Sequence, residues 1–352
     1  MSYDFFFHLT KPFLLRMNPE FVHDKGLKLL AFFDSGYSTV NPLISPKTSN
    51  PISLNGLDFC NRVGLAAGLD KNGLFVDLLS KFGFASIEVG TITPKPQSGN
   101  KKPRLFRLTE QGALINRMGF NNDGADRILK NLRKSQWIKE RMGVLGINLG
   151  INATTPLQEA YKDYNFGLET FFPIADYFVI NISSPNTKNL RALQSVDYFY
   201  DLIKKIKENS SSLSKTYKCH RPLFIKLSPD LEPQDIESLA IVIEKLDIEG
   251  IIISNTTEKR PYPNKSCFLE TGGLSGKPLQ EQAEKMLVNF KRRLPSHVTI
   301  IGSGGIMTSE DAVARLKAGA DLVQFYTGLI YNGPSIVKKT IELTRQETDT
   351  KS

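Results

Sequence analysis

From about residue 60 onward the chain repeats one pattern: a short, almost wholly apolar run followed by a longer segment of helical length. The runs are 62–66 (RVGLA), 84–89 (FASIEV), 143–148 (GVLGIN), 177–182 (YFVINI), 222–227 (PLFIKL), 250–254 (GIIIS), 298–302 (VTIIG) and 321–326 (DLVQFY). Most are rich in Val and Ile and have no polar face, as strands buried on both sides require. Eight of them alternating with helices predict an α/β fold, a (β/α)8 TIM barrel. An open doubly wound sheet fits less well, since it typically has fewer strands and no GxGxxG opens a helix after the first run.

Ahead of the barrel the period changes. Phe6, Leu9, Phe13 and Met17 share one helical face, and Val22, Gly26, Leu29, Leu30 and Phe33 share another. Asn18-Pro19 between them supplies an N-cap and a first-turn proline. The expected organisation is a small N-terminal helical hairpin over 1–40, a linker over 41–56 carrying Pro42, Pro46 and Pro51, and the barrel over 57–345. The gap 90–142 leaves room for an excursion over the barrel mouth, with 91–108 read as loop followed by strand, and 256–276 reads as a second long loop. No internal repeat is evident.

Composition narrows the function classes. The 352 residues are 40% apolar and 23% charged, ordinary for a globular protein, and no apolar run approaches the ~18 residues of a membrane span. The N-terminus has neither a small-residue cleavage site nor the character of a transit peptide, so the mature chain is expected to begin near Met1 and stay inside a cell. Cys60, Cys219 and Cys267 show no paired spacing, and His8, His23, His220 and His297 are scattered, which argues against disulfides and metal. A net charge of +9 points to an anionic partner. The pairs Lys204-Lys205, Arg292-Arg293 and Lys338-Lys339 read as solvated helix faces, and no motif supports nucleic acid.

In a barrel enzyme the chemistry lies at the C-terminal ends of the strands. There this chain places AAGLDKNG (66–73), GT (90–91), Asn148, NISSPN (181–186), Lys226, SNTT (254–257), SGG (303–305) and YTG (326–328). Glycines after strands seven and eight let backbone N–H groups approach a phosphate, which suits a cofactor such as FMN, although paired glycines also occur in ordinary loops. Lys226, within an apolar strand, is either a structural ion pair or a cation beside a group that becomes anionic, such as a reduced flavin. Lys71 is less diagnostic. Ser184 is either a turn residue or a base, and the absence of GxSxG and of a strand-end histidine argues against a hydrolase triad. Asn116, Asn148, Asn181, Asn186 and Asn255 are either caps or a set of amides matched to a planar heterocycle.

These residues belong to motifs that resemble the class 2, membrane-associated dihydroorotate dehydrogenases across nearly the whole chain. The motifs are GLAAGLDKNG, SIEVGTITPKPQSGNKKPRLFRL, INRMGFNN, LGINLG, NISSPNT, IKLSPD, SNTT, TGGLSGKPL, IIGSGGI and QFYTG. The resemblance implies oxidation of dihydroorotate to orotate in pyrimidine biosynthesis. Ser184 would take the C5 proton while the C6 hydride passes to flavin N5, and a membrane quinone would reoxidise the flavin. It implies FMN along Ala66, Ala67, Gly68, Leu69, Asp70, Lys71, Thr91, Asn148, Asn181, Lys226, Ser254, Gly276, Gly305, Tyr326 and Thr327. Dihydroorotate would contact Lys71, Asn116, Arg117, Met118, Gly119, Phe120, Asn181, Asn186, Asn255 and Thr256, and His23, Arg107 and Tyr326 would flank a quinone tunnel.

The subclass rests on Ser184, where class 1 enzymes place cysteine, and on the N-terminal helices. Ser254, where some relatives carry threonine, departs only slightly. A monomer is expected, held peripherally on the cytoplasmic face of a bacterial inner membrane, with the helices partly in the headgroup layer. The plainer alternative has them cap the barrel floor. Rival functions are a dihydrouridine synthase, a 2-hydroxy-acid oxidase, which would need a histidine base at the mouth, and a non-enzymatic flavin-storage or membrane-scaffold protein.

Overall fold

Each apolar run forms a strand, and pairing closes the strands into one parallel barrel. The computed structural model describes residues 3–36, 50–187, 190–261 and 266–349. It begins with helices α1 (Tyr3–Leu14) and α2 (Pro19–Gly36) and an antiparallel hairpin of β1 (Ile52–Leu54) and β2 (Leu57–Phe59). The barrel follows as β3 (Val63–Leu65), β4 (Ser86–Ile92), β7 (Val144–Leu149), β8 (Tyr177–Asn181), β9 (Leu223–Leu227), β10 (Gly250–Ile253), β12 (Thr299–Ser303) and β13 (Leu322–Phe325), with β13 pairing back onto β3. Strands β5 (Leu105–Leu108), β6 (Ala113–Asn116) and β11 (Gly273–Gly276) form a separate antiparallel sheet.

The barrel is held by apolar burial. In the helix Val196–Tyr217, Phe199, Leu202, Ile203 and Ile206 recur at helical spacing and are buried, while Lys204 and Lys205 face solvent. Arg292-Arg293 and Lys338-Lys339 are exposed as well. Inside the barrel, Val144, Tyr177, Phe224, Ile252, Ile301 and Leu322 fill the lower part and meet Phe59 of β2, with Ile52, Leu54 and Leu57 packed alongside. The β1–β2 hairpin therefore plugs the floor.

This corrects two expectations and removes one alternative. The linker read over 41–56 ends in strand β1. Pro42 and Pro46 lie outside the described residues, but Asn55 (φ 50°) and Gly56 (φ 76°) form a tight hairpin turn. Asn-Gly between ISL and LDF is the local signal for such a turn, and it was legible. The loop read over 256–276 ends in β11, whose GLSG has no strand periodicity and is ordered by its pairing with β6, from Gly273 opposite Asn116 to Gly276 opposite Ala113. The N-terminal helices do not cap the floor: they lie at the mouth, where α2 packs against β5 and His23 Nε2 approaches the Leu69 carbonyl at 2.8 Å.

The helical pair otherwise forms as its sequence requires. Asn18 Oδ1 accepts the Phe21 amide at 3.0 Å, capping α2 with Pro19 as its first residue. Leu9, Phe13, Met17, Phe21, Leu29 and Phe32 remain exposed, Phe13 and Phe32 at 70% and 73%. The side chains of Phe5, Phe6 and Phe33 are outside the described set.

Candidate active site

The loops at the barrel mouth surround an open cavity, and its floor is polar. Lys226 reaches it from β9 and Gln324 from β13, with Thr91 and Asn181 beside them. Directly beneath lies Glu88 of β4, fully buried. Glu88 Oε1 accepts from Asn148 Nδ2 at 2.6 Å and from Lys226 Nζ at 3.5 Å, and Oε2 accepts from Gln324 Nε2 at 2.6 Å. A buried carboxylate and ammonium are tolerated because each is paired and hydrogen-bonded. Ring closure brings these groups together from four different strands.

The walls carry the remaining polar groups. Asn181 Nδ2 donates to Thr91 Oγ1 at 3.0 Å and Asn148 Oδ1 at 3.1 Å, and Asn255 Nδ2 donates to Asn181 Oδ1 at 3.2 Å. Across the mouth, Asn186 Nδ2 donates to Asn116 Oδ1 at 3.0 Å. The structure separates the two serines after β8. Ser183 Oγ is held between Asn181 Oδ1 and Asn255 Nδ2 at 3.3 and 3.0 Å, whereas Ser184 lines the cavity. Ser184 Oγ accepts the Asn186 amide at 3.2 Å, and its own proton has no acceptor among the described residues.

Lys71 lies on the opposite wall, its Nζ donating to the Gly68 carbonyl at 2.8 Å. Desolvation pulls its pKa down to about 8, with Asp24 opposing that shift. Burial pushes the Tyr326 hydroxyl up to about 12, so it stays a neutral wall.

The fourth side is a backbone cradle after β12. Gly305 has φ +75°, and a Cβ there would sit 2.2 Å from the Cα of Gln280, so only glycine fits. The amides of Gly304 and Gly305 have no acceptor among the described residues. With the Thr327 hydroxyl nearby on the cavity wall, this edge is built to receive an anion.

A second chamber lies between the helical pair and the barrel. Its wall is largely apolar, with Leu14, Val22, Leu27 and Leu30 from the helices facing Leu69, Leu79, Phe82 and Leu329. His23, Leu105, Leu114 and Tyr326 line both chambers. Arg107 lines the second chamber, and its Nη1 lies 3.1, 2.9 and 3.0 Å from the carbonyl oxygens of Leu14, Leu15 and Met17 at the end of α1.

The family model for dihydroorotate dehydrogenase matches residues 51–346. The chain belongs to the dihydroorotate dehydrogenase family. It is 45% identical over 347 residues to a dihydroorotate dehydrogenase (quinone) of Delftia acidovorans, covering 96% of this chain and 97% of the relative. To the protein of that name from Acinetobacter baumannii it is 44% identical over 342 residues, covering 96% and 98%. A crystal structure of the Eimeria tenella dihydroorotate dehydrogenase in complex with ferulenol superposes with a TM-score of 0.86 at 38% identity, covering 97% of this chain and 95% of that one.

Most residues expected in a dihydroorotate dehydrogenase site line the inner cavity: Ala66, Ala67, Gly68, Lys71, Thr91, Asn181, Ser184, Lys226, Ser254, Gly305, Tyr326 and Thr327. Asn116, Met118, Gly119, Phe120, Asn186, Asn255 and Thr256 also line it. Five do not. Leu69 faces the second chamber, and Asn148 lies beneath the floor. Gly276 sits behind Ser275, with no room for a Cβ against the Gly112 carbonyl. The Asp70 carboxylate is engaged by the amides of Asn72, Leu74 and Phe75, shaping the loop that presents Lys71. Arg117 pairs with Glu270 at 2.6 Å and lies over the Phe106 ring, latching the mouth sheet. Sequence reasoning missed Glu88, Gln324, Leu105 and Leu114. A glutamate inside the apolar FASIEV run was the same signal that singled out Lys226; Leu105 and Leu114 offered none.

Proposed function

We propose that this chain is an FMN-dependent, quinone-reducing dihydroorotate dehydrogenase. It oxidises dihydroorotate to orotate and passes the electrons to a membrane quinone. The observation that carries the reading is the pair of chambers, one with a polar floor and one largely apolar, with His23, Leu105, Leu114 and Tyr326 lining both. A polar dihydropyrimidine and a lipophilic acceptor can thus approach one cofactor from different sides without sharing a site.

The residues present fit FMN. Lys226, Thr91 and Asn181 would face its polar ring edge, Ala66, Ala67 and Gly68 its ring, and Gly304, Gly305 and Thr327 its phosphate. Bound there, FMN would supply the two-electron acceptance that no side chain offers. The remaining work falls to the chain. Lys71 pairs with the substrate carboxylate, and the amides of Asn116, Asn181, Asn186 and Asn255 match the donors and acceptors of the ring. Ser184 is the general base: as its Oγ takes the C5 proton, the hydroxyl's own proton passes to water in the open cavity. Phe120 and Met118 add apolar contact to the cavity wall.

The exposed Leu9, Phe13, Met17, Phe21, Leu29 and Phe32, beside Arg16, Lys25 and Lys28, seat the protein peripherally on an anionic bilayer, the cytoplasmic face of a bacterial inner membrane. Each such side chain gains roughly 1.5–3 kcal/mol on full burial. No described helix is long and apolar enough to cross a membrane. The working unit is a monomer.

The experiment is anaerobic titration of the purified full-length protein. Dihydroorotate should bleach a flavin absorbance, and a quinone should restore it. A protein whose flavin dihydroorotate leaves oxidised, or one that binds no flavin, overturns the proposal.

A further inference from the structure

The polar layer beneath the cavity has a direction. Glu88 can only accept as a carboxylate, and the three groups around it, Asn148 Nδ2, Lys226 Nζ and Gln324 Nε2, all donate to it. Because Asn148 must turn its NH2 toward Glu88, its Oδ1 faces outward and takes Thr91 Oγ1 at 2.6 Å and Asn181 Nδ2 at 3.1 Å. Asn181 is thereby oriented in turn, and its Oδ1 takes Asn255 Nδ2 at 3.2 Å. Three carboxamides from β7, β8 and the loop after β10 thus point the same way, each donating toward one buried negative charge. Lys226 is the only cation among the described groups that hydrogen-bond Glu88, and it lines the cavity whereas Glu88 does not.

We propose that Glu88 is a positioning residue that sets the electrostatic potential of the cavity floor. It offsets part of the Lys226 charge, and through Asn148 it fixes the polarity of the Asn181 and Asn255 amides. The inference rests on the flavin site proposed above. Reduction of a cofactor there adds negative charge, which Lys226 favours and Glu88 opposes. Glu88 therefore holds the reduction potential below the value that Lys226 alone would give. That leaves the reduced site a stronger donor to the quinone.

Glu88→Gln keeps the size, removes the charge, and sets one NH2 against neighbours that themselves donate. The test compares full-length holoprotein, wild type and variant, by anaerobic spectroelectrochemical titration of the bound flavin, a readout independent of turnover. The expected result is a potential raised by at least a tenfold shift in the reduced-to-oxidised ratio, ~30 mV for a two-electron couple. Glu88→Asp keeps the charge but withdraws it from Lys226, so its potential should lie between the two, and it decides the matter alone if Glu88→Gln does not fold. Unchanged potentials in a folded, flavin-loaded variant overturn the inference. A wild-type protein without a dihydroorotate-reducible flavin overturns the function reading instead, so the two failures are told apart.

Discussion

Replacing Arg107 by methionine should release α1 from the barrel while leaving the inner cavity intact. The Arg107 Nη1 group lies within 3.1 Å of three carbonyls at the end of α1, those of Leu14, Leu15 and Met17. Leu14 is the last residue of α1, and Leu15 and Met17 lie in the turn that follows it, so the guanidinium sits at the helix C-terminus. One NH2 group has two hydrogens, so about two charge-assisted bonds are formed at any instant. Such bonds contribute ~1.5–3 kcal/mol each, and a cation at a helix C-terminus adds ~0.3–1 kcal/mol. The Met17 contact is exposed and the guanidinium only partly buried, so screening lowers the total to ~2–4 kcal/mol. At about 1.4 kcal/mol per tenfold, that is a loss of roughly 30- to 700-fold in the equilibrium holding α1 docked. Hydrogen exchange followed by mass spectrometry reads it directly: peptides from Tyr3–Leu14 should lose protection while barrel peptides keep theirs. Quinone reduction should fall, and single-turnover bleaching by dihydroorotate should persist, because Arg107 does not line the inner cavity. Wild-type exchange of α1 in the variant would refute this account. A changed quinone KM with α1 still protected would place the guanidinium on the quinone instead.

Ser184→Ala should still bind flavin and orotate but lose ~10²–10⁴ in flavin reduction by stopped flow, the usual contribution of a general base; near-normal reduction would remove Ser184 from that role. Ser184→Cys should retain part of the rate with a pH response that follows thiol ionisation. The Lys71 pKa of about 8 means that the free protein loses this ammonium as pH rises through 8, so KM for dihydroorotate should climb above that pH. A bound carboxylate favours the charged form and moves the inflection upward in kcat, and Lys71→Arg should abolish it in KM. Burial pushes the Glu20 carboxyl up, but hydrogen bonds and charge from Arg104 and Lys102 outweigh it, and the group ends below its ordinary value. A depressed carboxyl stabilises the fold above its unfolded pKa of ~4.3, and that contribution is lost as pH falls through the lower folded value. Thermal melts of wild type should show this acid-side loss and Glu20→Gln should not. The variant should be less stable at neutral pH by an amount near the low end of ~3–5 kcal/mol, since Arg104 keeps the Ser98 and Asn100 carbonyls.

Much of this molecule is legible along the chain because its signals are local. Strands buried on two faces must be apolar, so eight such runs announce the barrel, and the Asn18 cap and Asn55-Gly56 turn declare themselves through backbone conformation. The strand-end clusters mark the mouth for the same reason: polar residues appear where a buried strand stops being buried. What the chain alone leaves undetermined is decided by closure. Lys226 and Glu88 are 138 positions apart and become partners only when the barrel is complete. Ser183 and Ser184 are chemically alike, and the path of the loop after β8 gives one to the amide network and the other to the cavity. The same holds for Asp70 and Arg117, whose charges are taken up by backbone amides and by Glu270. The helical pair is amphipathic by sequence, but its place at the mouth follows from contacts with Arg107 and Leu69 on distant segments. Local patterns specify which elements form, because they act through neighbouring residues. Which side chains face one another depends on strand register and ring closure, and those exist only in the folded chain.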